Sequence, residues 1–350
     1  MGGGLMQLVA YGAQDIYLTG NPQITFFKVV YRRHTNFAVE SIEQTFNGSA
    51  ALGKKFSCTI ARNGDLLHRV YLETDLTTTK AAQADGIAGR RVGFELIDYV
   101  ELEVGGQCID KHYGDWMNLW TDLSHDSDKY SMLGDLISST AMSATVNVLT
   151  TTTKLYIPLQ FWFCRNPGLA LPLIALQYHE VKINVQFKPE ADVLALLNLG
   201  KTDGTDGTNG ASLTNVCVFC DYVFLDTDER RRFAQVSHEY LIEQLQFSNA
   251  LNAGSPAVAD STVVSTQAEL RFNHPVKELV WTVSSGIAAT AQVTVDDALL
   301  QLNGHDRFRR RSGSYFTDVQ RYQHHSGATG STNAHIYSFA LKPEDHQPSG

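Results

Sequence analysis

The chain has 350 residues, of which 43% are aliphatic, aromatic or cysteine and 19% are charged. This composition is typical of a globular protein and excludes a disordered chain, and the length exceeds the roughly 250–300 residues at which a single core stops growing. The formal net charge of −9 at pH 7 argues against a protein that binds nucleic acid directly, because binding phosphate backbones needs a concentrated positive field.

The sequence shows neither a secretory signal pattern nor a long uninterrupted apolar run. We therefore expect a soluble protein without a transmembrane segment, made in the cytosol. Its five cysteines are an odd number and lie within apolar runs, which predicts free, buried thiols and no disulfide framework.

The first predicted feature is an N-terminal arm, residues 1–23, from which a helix starts at Asn21-Pro22. Asn is a favoured N-cap, and Pro is a favoured first helical residue. This helix would lead into Arg32 and Arg33. Such basic clusters either face solvent or contact a partner subunit, and we interpret this pair as a candidate assembly contact.

Most of the remaining chain alternates apolar and polar residues with period two, which predicts half-buried strands. Strands at such short intervals favour a β-sandwich or barrel. The clearest alternating segments are residues 56–60, 100–104, 155–163 and 293–295. One helix, within residues 110–123, has apolar residues at helical spacing and is predicted to be an insertion between strands.

The second half of the chain repeats motifs of the first in the same order. Ile42-Glu43-Gln44 recurs as Ile242-Glu243-Gln244. Further matching segments are 68–72 with 277–281, 102–110 with 300–308, and 163–172 with 340–348. We therefore predict a first roll at residues 24–205 and a second roll at residues 206–350, separated by a Gly-, Thr- and Asp-rich loop at 200–212.

A second arginine cluster lies near the start of the second copy. Asp226 and Glu229 have the spacing of a capping box, so a short helix is predicted to carry Arg230, Arg231 and Arg232. We interpret these three arginines as further candidate assembly contacts.

The two copies differ at their ends. In the first copy, the proline-containing segment is followed by a predicted strand at residues 173–187, whereas the second copy stops at Gly350. We therefore expect the second roll to lack its last strands.

No pattern in the sequence predicts a catalytic, cofactor or metal site. The phosphate-loop-like segment 48–55 has Lys55 where a magnesium-binding Ser or Thr is required. Cys217 and Cys220 lack the second Cys-x-x-Cys of a zinc site, and a strand would direct them to opposite faces. Asn47 begins the single Asn-x-Ser/Thr sequon of the chain and is a candidate glycosylation site.

The most specific stretches of the sequence are residues 10–37, 165–185, 221–247, 301–308 and 337–350. They closely resemble the major capsid proteins of the nucleocytoplasmic large DNA viruses, nearest to those of algal viruses (phycodnaviruses). The resemblance implies an all-β double jelly roll, which consists of two tandem antiparallel β-sandwiches of about eight strands each. Short helices would lie in the loops, and the second roll would be incomplete.

The resemblance also implies a structural protein without catalytic residues. Three chains are expected to form a homotrimeric, pseudo-hexagonal capsomer, which would tile an icosahedral shell with neighbouring capsomers and minor capsid proteins. The protein would be assembled in the host cytoplasm and would reside in the virion. The internal repeat fits this assembly, because three chains with two similar lobes each would place six similar lobes around one axis.

Two other functions are compatible with a jelly roll. A carbohydrate-binding, lectin-like protein could use surface loops to bind host-surface glycans. A cupin-type enzyme would need a metal-binding histidine cluster, which the sequence lacks.

Overall fold

The computed structural model describes residues 13, 16–23, 25, 27–29, 32, 34–80, 91–137, 149–196, 210–248, 251, 265–283, 295–327 and 334–346. The chain divides into two compact units, Met1–Asn36 and Phe37–Gly350.

The regular elements are numbered in chain order. The strands are β1 (Phe37–Gln44), β2 (Phe46–Gly48), β3 (Lys55–Thr59), β4 (Leu66–Lys80), β5 (Ile97–Val104), β6 (Gln107–Tyr113), β7 (Leu149–Pro158), β8 (Leu171–Pro172), β9 (Val181–Phe187), β10 (Gly210–Leu225), β11 (Glu278–Thr282), β12 (Asp297–Ala298), β13 (Gln301–Leu302), β14 (His305–Asp306), β15 (Arg311–Ser312) and β16 (Ala334–Ser338). The helices are α1 (Ile16–Thr19), α2 (Val92–Glu95), α3 (Gly114–Ser124), α4 (Ser127–Leu136), α5 (Trp162–Arg165), α6 (Glu190–Leu196), α7 (Thr227–Gln235) and α8 (Gln320–His324), with a 3₁₀ turn at Pro167–Leu169 and a π-helical turn at Tyr315–Val319.

The N-terminal unit corrects the predicted helix start. The short helix α1 ends where Gly20 N donates to Ile16 O at 2.8 Å, and Asn21 follows with a φ of 51°. This left-handed conformation is typical of a residue just beyond a helix end, so Asn21 follows a helix and does not begin one. The described residues between Pro22 and Arg32 are not helical, and the prediction of a helix there is wrong.

The second unit begins with a complete β-sandwich, which we call the first lobe (residues 37–225). One five-stranded antiparallel sheet has the order β1–β10–β4–β7 with β8 on β4, and the other has the order β2–β3–β9–β5–β6. The alternating segments 56–60 and 100–104 form β3 and β5, as predicted. The segment 155–163 is only partly a strand, because β7 ends at Pro158 and α5 begins at Trp162.

Strand β10 corrects the predicted boundary between the copies. It pairs with both β1 and β4, with Cys220 opposite Ile42 on one side and Val70 on the other. Residues 210–225, predicted to open the second roll, therefore complete the first sandwich. The loop rich in Gly, Thr and Asp therefore lies within the first lobe, because only the pairing partners show to which sheet the following strand belongs.

The core of the first lobe fills the space between its two sheets. Tyr222 of β10 is fully buried, and its hydroxyl donates to the carbonyl of Ala61 at 2.5 Å. Cys220 is buried and Cys217 is half-buried, as expected for residues on opposite faces of a strand. Burial raises the pKa of Cys58 to about 11, so this thiol packs as a small neutral hydrophobe.

The second lobe (residues 226–350) reproduces two turns of the first. Gly105-Gly106 joins β5 to β6 and Asn303-Gly304 joins β13 to β14, and all four residues have positive φ, as a two-residue type I′ hairpin requires. The proline turns also match, because Leu169 N donates to Asn166 O and Asp345 N donates to Lys342 O. The described strands of this lobe form three antiparallel pairs, β11–β16, β12–β15 and β13–β14.

Of the strand predicted at 293–295, Val293 lies outside the described residues and Val295 is not in a strand. The strand predicted at 173–187 is shorter than expected, since residues 173–180 form turns and only Val181–Phe187 is extended.

The buried sheet interior predicts the effect of a core truncation. Leu72 of β4 is fully buried between the sheets, so Leu72→Ala should lower the free energy of unfolding by about 2–5 kcal/mol, because it removes apolar contacts and leaves a cavity. Leu136, 44% exposed at the end of α4, provides the matched control, and Leu136→Ala should cost about 0.5 kcal/mol or less. Chemical denaturation measures both, and equal losses would contradict this description of the core.

Candidate functional site at the seam between the two lobes

The two lobes meet along strand β6, at a contact that we call the edge seam (residues 243–247 against residues 109–113). Gln244 Nε2 donates to the carbonyl of Ile109 at 2.6 Å, and Leu245 N donates to Asp110 Oδ1 at 3.1 Å. The rings of Tyr113 and Phe247 lie 4.8 Å apart. The first lobe therefore supplies hydrogen-bond partners to an extended segment of the second lobe that belongs to no sheet.

Glu243 links a cation from each lobe at this seam. Its Oε2 lies 3.3 Å from Arg165 Nη1 of the first lobe, and its Oε1 forms an ion pair with Lys277 of the second lobe. The Arg165 guanidinium also lies 4.0 Å from the centre of the Trp120 ring and donates through Nε to the carbonyl of Gln160 at 3.0 Å. Because these charges are largely withdrawn from water, loss of one partner would leave an uncompensated charge behind.

Burial acts on Arg165 directly. It lowers the pKa of the guanidinium from its usual value, and the Glu243 carboxylate opposes that shift. Arginine keeps its charge at any physiological pH, so the ion pair persists across that range. Glu243 thus balances a cation that the first lobe could not bury favourably alone.

A buried carboxylate and imidazole support the same seam from within the first lobe. Asp110 and His112 are 3% and 2% exposed, and Asp110 Oδ2 lies 2.9 Å from His112 Nε2. The His112 ring stacks on Phe161 at 4.9 Å. Asp110 is therefore held in one orientation while its other oxygen accepts from Leu245 N.

A second contact, which we call the helix seam, joins the end of α3 to residues 321–327. Arg321 Nη2 donates to the carbonyl of Asp122 at 2.5 Å, and Gly327 N donates to the carbonyl of Leu123 at 2.8 Å. An ion pair between Asp122 and Arg91 fixes this end of α3. The helical insertion predicted within residues 110–123 therefore carries a docking surface for the second lobe.

The loop that presents Gly327 is held by a buried histidine. The side chain of His325 is fully buried, with Nε2 2.9 Å from Glu278 Oε2 and Nδ1 3.0 Å from Glu344 Oε1. Glu344 also accepts from Ser326 N and Ser326 Oγ. Burial alone would lower the pKa of His325, but the hydrogen bonds and charges of the two carboxylates raise it to about 9. The imidazolium therefore joins β11 to the proline turn of the second lobe.

The three arginines predicted on α7 have different environments in the structure. Arg230 forms an ion pair with Asp65 at 2.9 Å, and Asp65 also accepts from Leu225 N, so this arginine ties α7 to the end of β10 within the chain. Arg231 and Arg232 are exposed on α7, whose N-cap is Asp226 as predicted.

The three remaining candidate residues, Arg32, Arg33 and Asn47, lie outside α7. Arg32 is exposed within the N-terminal unit, and Arg33 lies outside the described residues. Asn47 is exposed on β2.

Most seam residues were missed from the sequence. Glu243 and Gln244 belong to the repeated tripeptide, so the repeat itself was a signal for them. Arg165, His325 and Gly327 carried no comparable signal, since each is defined by a partner far along the chain. Among the described residues no cluster of His, Cys, Asp or Glu could hold a metal ion, and none of the helices found there has the length and apolar character needed to span a membrane.

Comparison with known proteins identifies the family. Residues 25–226 match the family described as major capsid protein N-terminus, and residues 229–350 match the large eukaryotic DNA virus major capsid protein family. The major capsid protein of Pyramimonas orientalis virus is 52% identical over 378 aligned residues, which cover 100% of this chain and 88% of that protein. The chain belongs to the family of large eukaryotic DNA virus major capsid proteins. The two matched ranges of the capsid protein meet beside the end of β10 at Leu225.

Solved structures show the same architecture for this capsid protein. The quasi-atomic model of the PBCV-1 virus capsid contains a chain that is 40% identical, with a TM-score of 0.74, over 93% of this chain and 83% of that one. The Faustovirus major capsid protein, at 13% identity, has a TM-score of 0.64 over 97% of this chain and 88% of that one. The capsid protein is thus an all-β double jelly roll, as the resemblance implied.

The helix seam predicts a sharp effect of one added methyl group. A Cβ at Gly327 would lie 2.5 Å from Leu123 O, so Gly327→Ala should push the second lobe away from α3 and lower the free energy of unfolding by about 1–3 kcal/mol. A Cβ at Gly210 would meet only Glu190 Oε1, at 3.8 Å, so Gly210→Ala is the control and should be neutral or stabilising. If thermal denaturation gave the two variants the same stability, the close approach at Gly327 would be refuted.

The His325 cluster predicts a loss of stability at alkaline pH. The pKa of His325 is raised in the folded state to about 9, from the ordinary histidine value of 6.5, so this contribution is fully present below about pH 6.5 and disappears as the pH rises through about 9. The shift corresponds to on the order of 3 kcal/mol. Wild-type unfolding free energy should therefore fall between about pH 6.5 and 9, and His325→Gln should flatten that part of the curve. An unchanged slope in His325→Gln would contradict the assignment, and His324→Gln serves as the control.

Proposed function

We propose that this capsid protein assembles into homotrimers with a pseudo-hexagonal outline that tile the icosahedral shell of a large DNA virus. The observation that carries the proposal is that one chain holds two similar lobes fixed to each other at two seams. The relatives named as major capsid proteins of algal viruses support the same role.

The physical argument rests on symmetry. A closed threefold ring of such chains places six lobes around its axis, and a unit with six similar sides can fill a flat lattice with nearly equivalent contacts. This requires the two lobes of a chain to keep a fixed relative orientation. The ion pairs of Glu243 and the hydrogen bond of Gly327 provide that restraint.

The exposed arginines are proposed to contact other proteins of the shell. Arg231 and Arg232 are exposed and form no ion pair within the described residues, and Arg32 is exposed in the N-terminal unit. The planar guanidinium suits pairing with carboxylates of a neighbouring subunit, capsomer or minor capsid protein. We propose the same role for Arg33. We also propose that the protein is assembled in the host cytoplasm and resides in the virion.

The protein is proposed to be structural and not enzymatic. Its relatives are capsid proteins, and no observation in the described residues favours the carbohydrate-binding alternative. Asn47 is exposed and is kept as a candidate for glycan attachment.

The mass and outline of the purified particle test this proposal. Native mass spectrometry should give about three times the chain mass of 38.7 kDa, and negative-stain electron microscopy should show a hexagonal outline with threefold symmetry. A monomer or a dimer at all accessible concentrations would reject the trimer.

The N-terminal arginines give a second test. Reversing Arg32 and Arg33 to Glu should impair assembly of trimers or of the lattice, because the new carboxylates would repel the acidic partner surface, while circular dichroism shows normal folding. Normal assembly of this variant would remove both residues from the contact.

A further inference from the structure

We propose that the helix seam is an acid-sensitive latch, in which protonation of His125 releases residues 325–327 of the second lobe from the end of α3 while the edge seam stays closed. The latch uses contacts inside one chain, so it does not depend on the proposed assembly. It adds a means of control to a contact that otherwise only holds the lobes together.

The second lobe caps the end of α3. The last carbonyl groups of an α-helix have no partner within the helix. Three of them accept hydrogen bonds from the second lobe: Asp122 O from Arg321 Nη2 at 2.5 Å, Leu123 O from Gly327 N at 2.8 Å, and Ser124 O from Ser326 Oγ at 3.4 Å. Any change at the end of α3 therefore acts on all three contacts.

His125 is part of the same helix end. Its backbone N donates to Thr121 O at 3.1 Å, and its Nδ1 lies 3.0 Å from Ser124 Oγ. That hydroxyl donates to Trp120 O at 2.6 Å. The half-buried imidazole thus contacts the residue whose carbonyl accepts from Ser326.

The surroundings of His125 disfavour its charged form. Burial lowers the pKa of His125 from its ordinary value, and the positive charges of Lys129 and Arg91 lower it further. The carboxylates of Asp126 and Glu344 act in the opposite direction but do not outweigh these effects. The imidazole is therefore neutral in the closed seam at neutral pH.

The groups that could balance a charge on His125 already have other partners. A helix C-terminus favours a nearby cation, but Arg321 of the second lobe already donates to a carbonyl there. Glu344 lies 3.0 Å from His325 Nδ1 and accepts from Ser326 N at 2.9 Å. An imidazolium at His125 would therefore add a further cation to a site that is already compensated.

Acid consequently favours the open seam. Release of the loop exposes His125 to water, where its pKa returns towards the ordinary histidine value of 6.5. A histidine whose pKa is lowered in the closed state binds a proton more readily in the open state. The closed state therefore loses stability as the pH falls below about 6.5 and keeps it above that value.

The other charged groups at the seams do not respond in this way. His325 keeps its charge in acid, because its pKa is raised to about 9. At the edge seam, Arg165 stays charged, and a proton on His112 would face the carboxylate of Asp110, 2.9 Å away. Acid thus acts on the helix seam and not on the edge seam.

Hydrogen–deuterium exchange of the full chain between about pH 7.5 and pH 5 tests the latch. Mass spectrometry follows peptides that contain Gly327 and peptides that contain Leu245, with the rates corrected for the pH dependence of chemical exchange. We expect the Gly327 amide to lose protection as the pH falls below about 6.5, because it donates across the helix seam. The Leu245 amide, which donates to Asp110 at the edge seam, should stay protected.

Two substitutions of His125 separate the charge from the side chain. His125→Gln keeps a polar side chain that cannot be protonated, so its Gly327 protection should not change with pH. His125→Arg carries a permanent charge, so its Gly327 amide should be as weakly protected at about pH 7.5 as that of the wild type in acid. His305, exposed on β14, provides the matched controls His305→Gln and His305→Arg, which should behave like the wild type.

Three results would overturn the latch. The first is a wild-type Gly327 amide that stays fully protected at about pH 5, and the second is an acid response that persists in His125→Gln. The third is loss of protection at Leu245 together with Gly327, since that would indicate unfolding of the whole chain. None of these results bears on whether the chain forms trimers, so the proposed function is tested separately.

Discussion

Glu243 joins the two halves of this capsid protein because its carboxylate balances a cation from each lobe, Arg165 and Lys277. None of these three charges is fully exposed, so each depends on the others for compensation. The extended segment around Glu243 belongs to no sheet of its own, and it satisfies backbone and side-chain groups on β6 of the first lobe. The relative position of the lobes follows from where these partners lie.

The two seams differ in origin. The edge seam uses residues of the repeated tripeptide, whereas the helix seam joins the end of α3 to residues 321–327 of the second lobe. A helical segment follows the matching hairpin in each lobe, α3 in the first and Tyr315–His324 in the second. The buried His325 cluster fixes the loop that carries Gly327, and Gly327 donates to the carbonyl of Leu123 at the end of α3.

Local patterns in the sequence predicted local structure well. Alternation gave β3 and β5, the capping residue Asp226 began α7, and the Gly-Gly and Asn-Gly turns formed equivalent hairpins. The predictions that failed depended on the conformation of the chain segments before and after the residue in question. Asn is favoured both at the start of a helix and just beyond its end, and the positive φ of Asn21 places this residue beyond the end of α1. Alternation also continued past Pro158, where the chain turns away from the sheet into α5.

The sequence by itself determined the class of fold, the duplication and the family, because these depend on periodicity, on turn chemistry and on long matching stretches, all of which are written along the chain. Only the tertiary structure decided that β10 closes the first sheet, that Arg230 is bound to Asp65 inside the chain, that Glu243 and Gly327 join the two lobes, and that His325 fixes the loop carrying Gly327. Strand pairing, ion pairs and close approaches join residues that lie tens to hundreds of positions apart. Their energies depend on burial and distance, and neither quantity exists until the chain has folded.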